Sequence, residues 1–157
     1  MLGAATFGVK VVMSGLPNIE PVSLMVMLFA VTFGVRALYP IYVYVALEYL
    51  LYGFHIWSVY YLYIWTILAI AAWLLRKMEH RLGWALLSGS FGLLFGALCA
   101  PADVLIGGFA YAASRWASGI PFDLLHCAGN FVIALLLFVP LRTRMQRLYQ
   151  NMLSRGR

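Results

Sequence analysis

From Tyr49 to Leu75 the chain carries no Asp, Glu, Lys or Arg, and from Leu82 to Ala102 it again carries none. Stretches of that length and character match helices that cross the hydrocarbon core of a bilayer, which takes about 20 apolar residues. The whole chain shares the bias: of its 157 residues 64% are hydrophobic and only 10% are charged, with a mean hydropathy of +0.90. A soluble domain carries roughly 25% charged residues, so most of this chain needs lipid as its solvent. Backbone groups in lipid must find partners within the protein, which leaves helix bundles or closed barrels. The apolar runs lack the alternation of barrel strands. The expected fold is therefore an all-α membrane protein, one integral domain over 1–157 built as a six-transmembrane-helix bundle.

Helices are expected at about 2–16, 22–34, 38–52, 59–75, 84–100 and 122–139. The fifth is expected to end at Pro101, and a less apolar outer-face segment covers 103–117. The first apolar run has no basic leader and contains Lys10, so it is read as a helix rather than a cleaved signal. The formal charge is +6 and the pI about 9.6. Nine of the eleven basic residues (Arg36, Arg76, Lys77, Arg81, Arg142, Arg144, Arg147, Arg155 and Arg157) follow the second, fourth or sixth helix. Six alternating helices put all nine on one side, which the positive-inside rule makes cytoplasmic, with both termini there. The opposite loops carry Asn18, Glu20, His55, Asp103 and Arg115. A seventh span over 103–117 would send the basic tail outside and is rejected. The cations form no stripe, so no nucleic-acid partner is expected. Cys99 and Cys127 sit in apolar surroundings and are expected as free thiols.

Polar groups embedded in apolar helices are costly and default to function. Here they are Lys10, Glu48, Asp123, His126 and Asn130. Asp123, His126 and Asn130, at i, i+3 and i+7, share one helix face, with Asn130 about 10 Å deeper than Asp123 at 1.5 Å rise per residue. Such a stripe suits a cavity open to the outside; the alternative is that Asp123 caps the helix and His126 makes a single interhelical bond. A belt of rings (Tyr49, Tyr52, Phe54, His55, Trp57, Tyr60, Tyr61, Tyr63 and Trp65) surrounds the turn between the third and fourth helices. Such rings either anchor the interface or stack on a flat ligand. Tyr52, His55 and Trp57, nearest the turn, are the expected lining. Small residues allow close helix approach in lipid: Ser88, Gly92, Gly96 and Ala100 on the fifth helix, and Gly3, Ala4 and Gly8 on the first. The first-helix ridge either packs inside the bundle or docks a second membrane protein. No H-E-x-x-H, G-x-S-x-G, P-loop or C-x-x-C motif is present, so no enzyme activity, metal or cofactor is expected.

Four segments resemble the substrate-binding S components of energy-coupling factor (ECF) transporters. They are Leu16-Pro-Asn-Ile-Glu-Pro-Val22, Val31-Thr-Phe-Gly-Val-Arg36, Glu48-Tyr-Leu-Leu-Tyr-Gly-Phe54, and Ser118-Gly-Ile-Pro-Phe-Asp-Leu-Leu-His126 with Gly129-Asn130. The resemblance implies a multi-pass protein of a prokaryotic plasma membrane that captures a vitamin or related micronutrient at the outer face. It implies partners, namely a transmembrane coupling protein and two cytoplasmic ATPases, and substrate release by toppling of the subunit in the bilayer. Carried over, the ligand would touch Asn18, Glu20, Glu48, Trp57, Asp123, His126 and Asn130. Ala4 and Gly8 would stand where the family docks through an A-x-x-x-A motif. Arg115 would pair with Asp103 or neutralise an anionic ligand, and 103–117 would act as a gate hinged at Gly107, Gly108 and Gly119. Two other readings remain: an autonomous proton-coupled secondary transporter using Glu48, Asp123 and His126 as a relay, and an intramembrane enzyme with an Asp123–His126 dyad.

Overall fold

The structure, a computed structural model, describes residues 1–15 and 21–155, and every regular element among them is helical. The order is α1 (Leu2–Val12), α2 (Val22–Phe33), a 3-10 turn (Gly34–Ala37), α3 (Leu38–Tyr52), α4 (Ile56–Tyr61), α5 (Ile64–Leu74), α6 (Arg81–Leu93) and α7 (Phe95–Arg155). Three stretches are long and apolar enough to cross a membrane: Val22–Tyr52, Ile56–Leu74 and Arg81–Arg155. The shorter Leu2–Val12 is also apolar.

Local chemistry sets the breaks. Pro40 falls in the first turn of α3, where a missing N–H costs no helical bond. Gly53 ends α3 at φ 78°, a left-handed backbone that side chains disfavour. The next helix starts at once: the His55 N–H donates to Ser58 Oγ at 3.1 Å, half of a capping box. Gly108, at φ 81° and ψ 179°, interrupts α7 and separates a run at 95–107 from one at 109–155.

Contacts give the relative directions. Gly3 lies against Pro40 and Val43, and Lys10 against Glu48, so α1 and α3 run the same way. The Tyr42 hydroxyl donates to the Leu62 carbonyl at 2.6 Å, and the Tyr49 hydroxyl donates to that of Ser58, so α3 opposes α4 and α5. Asn130 bonds Ser23 and Gln146 bonds Val31, so α2 runs with 109–155. Gly96 meets Asp123 and Trp84 stacks on Phe138 at 4.2 Å, so α6 and the start of α7 oppose that run. Tyr60 meets Asp103 and Tyr63 meets Leu98, so α4 and α5 oppose 95–107 and therefore run with α2, which α3 opposes; the 3-10 turn and Gly108 are thus hairpin bends.

The basic segments meet at one end. Arg142 donates to the carbonyls of Met78 and Arg76, each at 2.8 Å. Phe33 and Tyr149 rings stand 5.0 Å apart, edge to face. Met1, Arg36 and Tyr149 border a shared cleft. The outward faces are apolar, with Leu50, Leu105, Phe109 and Leu136 all more than half exposed. Apolar surface of that extent is unusual on a soluble monomer and is compatible with membrane insertion.

Several boundaries differ from the sequence expectation. The helix expected at 2–16 ends at Val12, followed by a turn over 13–15, and residue 16 lies outside the described set. The helix expected at 59–75 is two, α4 and α5, separated at Leu62 and Tyr63. The helix expected at 84–100 starts at Arg81, steps at Leu94, and passes through Pro101. The segment 103–117 is helical on both sides of Gly108, and the helix expected at 122–139 belongs to the run 109–155, through Pro121 and Pro140. Two physical effects account for this. Proline is tolerated in helices packed against neighbours that re-satisfy the freed carbonyl. Falling hydropathy marks where a helix leaves apolar surroundings, not where its hydrogen bonding stops.

Candidate functional site

A cavity of about 620 Å³ lies at the end of the bundle that holds the α3–α4 turn and Gly108. It falls within the usual range for small-molecule sites, about 300–1,000 Å³. Its first wall is built from α1 and α3: Lys10, Glu48, Tyr49 and Tyr52. The α3–α4 turn and α4 add His55, Trp57, Ser58, Tyr60 and Tyr61, and α5 adds Trp65. The opposite wall belongs to α7: Phe95, Gly96, Cys99 and Asp103 before Gly108, and Arg115, Trp116, Phe122, Asp123 and His126 after it.

Trp65 anchors the aromatic part. Its ring lies within 5.4–6.2 Å of Tyr44, Tyr61, Phe91 and Phe95. Phe95 meets the His126 imidazole at 5.0 Å. These are ordinary ring-pair distances, and they join α3, α4, α5, α6 and α7 in one continuous surface.

The charged groups are arranged in pairs, with one exception. Lys10 Nζ donates to Glu48 Oε2 at 2.7 Å, with side chains only 16% and 9% exposed. Glu48 Oε1 is buried without a hydrogen-bond partner among the described residues. Arg115 Nε lies 3.4 Å from Asp103 Oδ1, and the Tyr60 hydroxyl donates to that same oxygen. Asp123 is the exception: both its oxygens accept the Gly96 N–H at 3.2 Å, and no cation among the described residues reaches it. A Cβ on Gly96 would stand 2.6 Å from Asp123 Oδ2, so glycine is what permits this approach. Among the described residues no three of His, Cys, Asp and Glu converge as metal ligands.

Of the residues singled out in the sequence, Glu48, Tyr52, His55, Trp57, Asp123 and His126 share this cavity. Asn130 does not line it. Its Nδ2 donates to Ser23 Oγ at 3.0 Å and to the Ser88 carbonyl at 3.3 Å, where it joins α2, α6 and α7. Asn18 and Glu20 lie outside the described residues. Ala4 and Gly8 are on the exposed face of α1, with Gly3 and Thr6 on the buried one. Gly92 and Gly96 pack against His126 and Asp123 inside the bundle. Of the three hinge candidates, Gly108 alone has positive φ. Among the ring belt, Phe54 and Tyr63 stay off the lining, and the Tyr63 hydroxyl donates to the Leu98 carbonyl at 2.6 Å.

The sequence singled out Lys10 as an embedded polar group and offered Arg115 as a partner of Asp103, but it placed none of these three, nor Trp116 and Phe122, among the ligand contacts. The pairing of Lys10 with Glu48 had a usable signal: one lysine on α1 and one carboxylate on α3, each alone in an apolar helix, require a partner. Trp116 and Phe122 had none, because their approach depends on the reversal at Gly108. Comparison with protein-family models, with curated proteins and with solved structures finds no match to this chain.

Proposed function

We propose that this protein is the substrate-capture subunit of an ECF-type importer for a small water-soluble vitamin or related micronutrient. It would span a prokaryotic plasma membrane six times, with both termini in the cytoplasm. The observation that carries the reading is the ring-lined cavity at the end of the bundle remote from the basic rim. A site at that end takes solute from outside if the arginine-rich end faces the cytoplasm. The alternating directions of the packed segments support six passes, and the scarcity of ionisable groups outside the cavity and the rim supports burial in lipid. The chain contains no P-loop motif, so uptake against a gradient requires an energy source outside the chain. The reading assigns that role to two ATPases acting through a transmembrane coupling protein. Ala4 and Gly8, small and exposed on α1, suit close approach of that coupling protein.

Affinity purification from its host tests the assignment. The expected result is co-purification of a coupling protein with two ATPases, ATP-dependent uptake by the complex, and no ATP hydrolysis by the isolated subunit. Uptake by vesicles containing this protein alone, collapsed by an uncoupler, overturns it.

A further inference from the structure

Resting on the capture reading of the cavity, we propose that its ligand is a planar ring carrying a positive charge, held with that charge against Asp123. The cavity wall carries three carboxylates, Glu48, Asp103 and Asp123, against two cations, Lys10 and Arg115. Both cations are already committed, Lys10 to Glu48 at 2.7 Å and Arg115 to Asp103 at 3.4 Å. Among the described residues Asp123 is left with a backbone N–H as its one partner, although it is buried. The segment 16–20 brings no basic residue that could neutralise it. A buried carboxylate without a counter-charge is costly, and a cationic ligand removes that cost on binding.

The surroundings of Asp123 specify the shape of that cation. Trp116 is its neighbour across Gly96: a Cβ there would lie 3.0 Å from Trp116 Cδ1 as well as 2.6 Å from Asp123 Oδ2. Phe122 and His126 flank it on its own helix, and Phe95 faces His126. Rings beside a carboxylate favour a flat cation, which stacks on the rings while its charge is neutralised. The protein uses the same chemistry on itself nearby. Lys10 Nζ lies 5.9, 5.8 and 5.7 Å from the ring centroids of Tyr44, Tyr52 and Tyr61 while it pairs with Glu48. An anionic ligand would add a negative charge to a wall that already has an excess.

Three probes of one shape and different charge test this by calorimetric titration of the purified protein in detergent. They are 1-methylpyridinium-3-carboxamide, its neutral isostere 3-methylbenzamide, and the anion 3-methylbenzoate. The cation is expected to bind at least about tenfold more tightly than the neutral probe, with the anion weakest. In Asp123→Asn that preference is expected to vanish while the neutral probe keeps its affinity. A neutral or anionic probe binding as well as the cation overturns the charge assignment and leaves the cavity as a capture site. Binding of none of the three overturns the planar-cation assignment, while co-purification with an ATPase module continues to test the capture reading separately. A cation preference that survives in Asp123→Asn overturns the role of Asp123.

Discussion

Lys10 on α1 and Glu48 on α3 form an ion pair of 2.7 Å, joining the one lysine of the first helix to the one carboxylate of the third. Removing one partner from a largely dehydrated pair strands the other charge. Lys10→Met is expected to cost about 3 kcal/mol, the low end for a broken buried pair because Lys10 keeps 16% exposure. The double variant Lys10→Met/Glu48→Leu is expected to recover most of the loss. Thermal unfolding in detergent reads these and the Glu48→Leu single variant; a double-variant loss equal to the sum of the two single losses shows that the side chains are not energetically coupled.

The interface of α6 with α7 makes a sharper demand. A Cβ on Gly92 would stand 2.7 Å from the carbonyl carbon and oxygen of His126 and 2.8 Å from the Cys127 nitrogen. Backbone atoms cannot rotate away as a side-chain tip can. Gly92→Ala is thus expected to destabilise by about 1–3 kcal/mol through forced separation of the helices. Gly8→Ala meets nothing within 4 Å and is expected to be neutral or slightly stabilising. Equal melting temperatures for the two variants would contradict this packing.

These contrasts show what the sequence made legible. Helix placement followed from apolar runs, and α3 falls at 38–52, as the run between Arg36 and Gly53 indicates. Glu48, Asp123 and His126 were legible as cavity-lining candidates because ionisable groups in apolar helices are scarce enough to stand out. It was not legible in Trp116 or Phe122. Aromatic residues on apolar helices are common, and only the reversal at Gly108 carries these two back toward Gly96. Asn130 differs in the opposite way: it was expected at the site and does not line the cavity. Its i+7 spacing from Asp123 places it on the same helix face, but two helices close over it before the cavity reaches that depth.

Asn130 is accordingly expected to act on stability rather than on ligand affinity. Asn130→Ala removes the bonds to Ser23 Oγ and the Ser88 carbonyl and is expected to cost about 1–2 kcal/mol. Its affinity for 1-methylpyridinium-3-carboxamide is expected to stay within about twofold of the unmodified protein, as for a site outside the contact surface. His126→Ala removes a cavity wall and is expected to weaken that probe more than Asn130→Ala does. The reverse order would put Asn130 in the binding surface after all.

Orientation is tested on intact cells. In a Cys99→Ser/Cys127→Ser background, Ser118→Cys is expected to react with a membrane-impermeant maleimide, because Ser118 borders the cavity. Lys77→Cys, beside the Arg142 clasp on Arg76 and Met78, is expected to react only after permeabilisation. Labelling of Lys77→Cys alone in intact cells would turn the cavity toward the cytoplasm and exclude capture from the medium.

Gly108 decides whether Asp103 and Arg115 can meet. The chain reverses there at φ 81° and ψ 179°, a region essentially restricted to glycine. The reversal sets the two halves of α7 side by side, so that Arg115 reaches Asp103 at 3.4 Å and Trp116 reaches Gly96. Gly108→Ala has open space for its methyl group, so its penalty is one of backbone conformation alone, about 1–3 kcal/mol. Gly119→Ala also has open space, but it sits in a regular helix and is expected to stabilise by a few tenths to about 1 kcal/mol. Because strain at Gly108 acts on the geometry of the cavity wall, Gly108→Ala should weaken the pyridinium probe as well as lower the melting temperature. Loss of stability with unchanged affinity would mean that the Asp103–Arg115 side of the cavity does not contribute to binding.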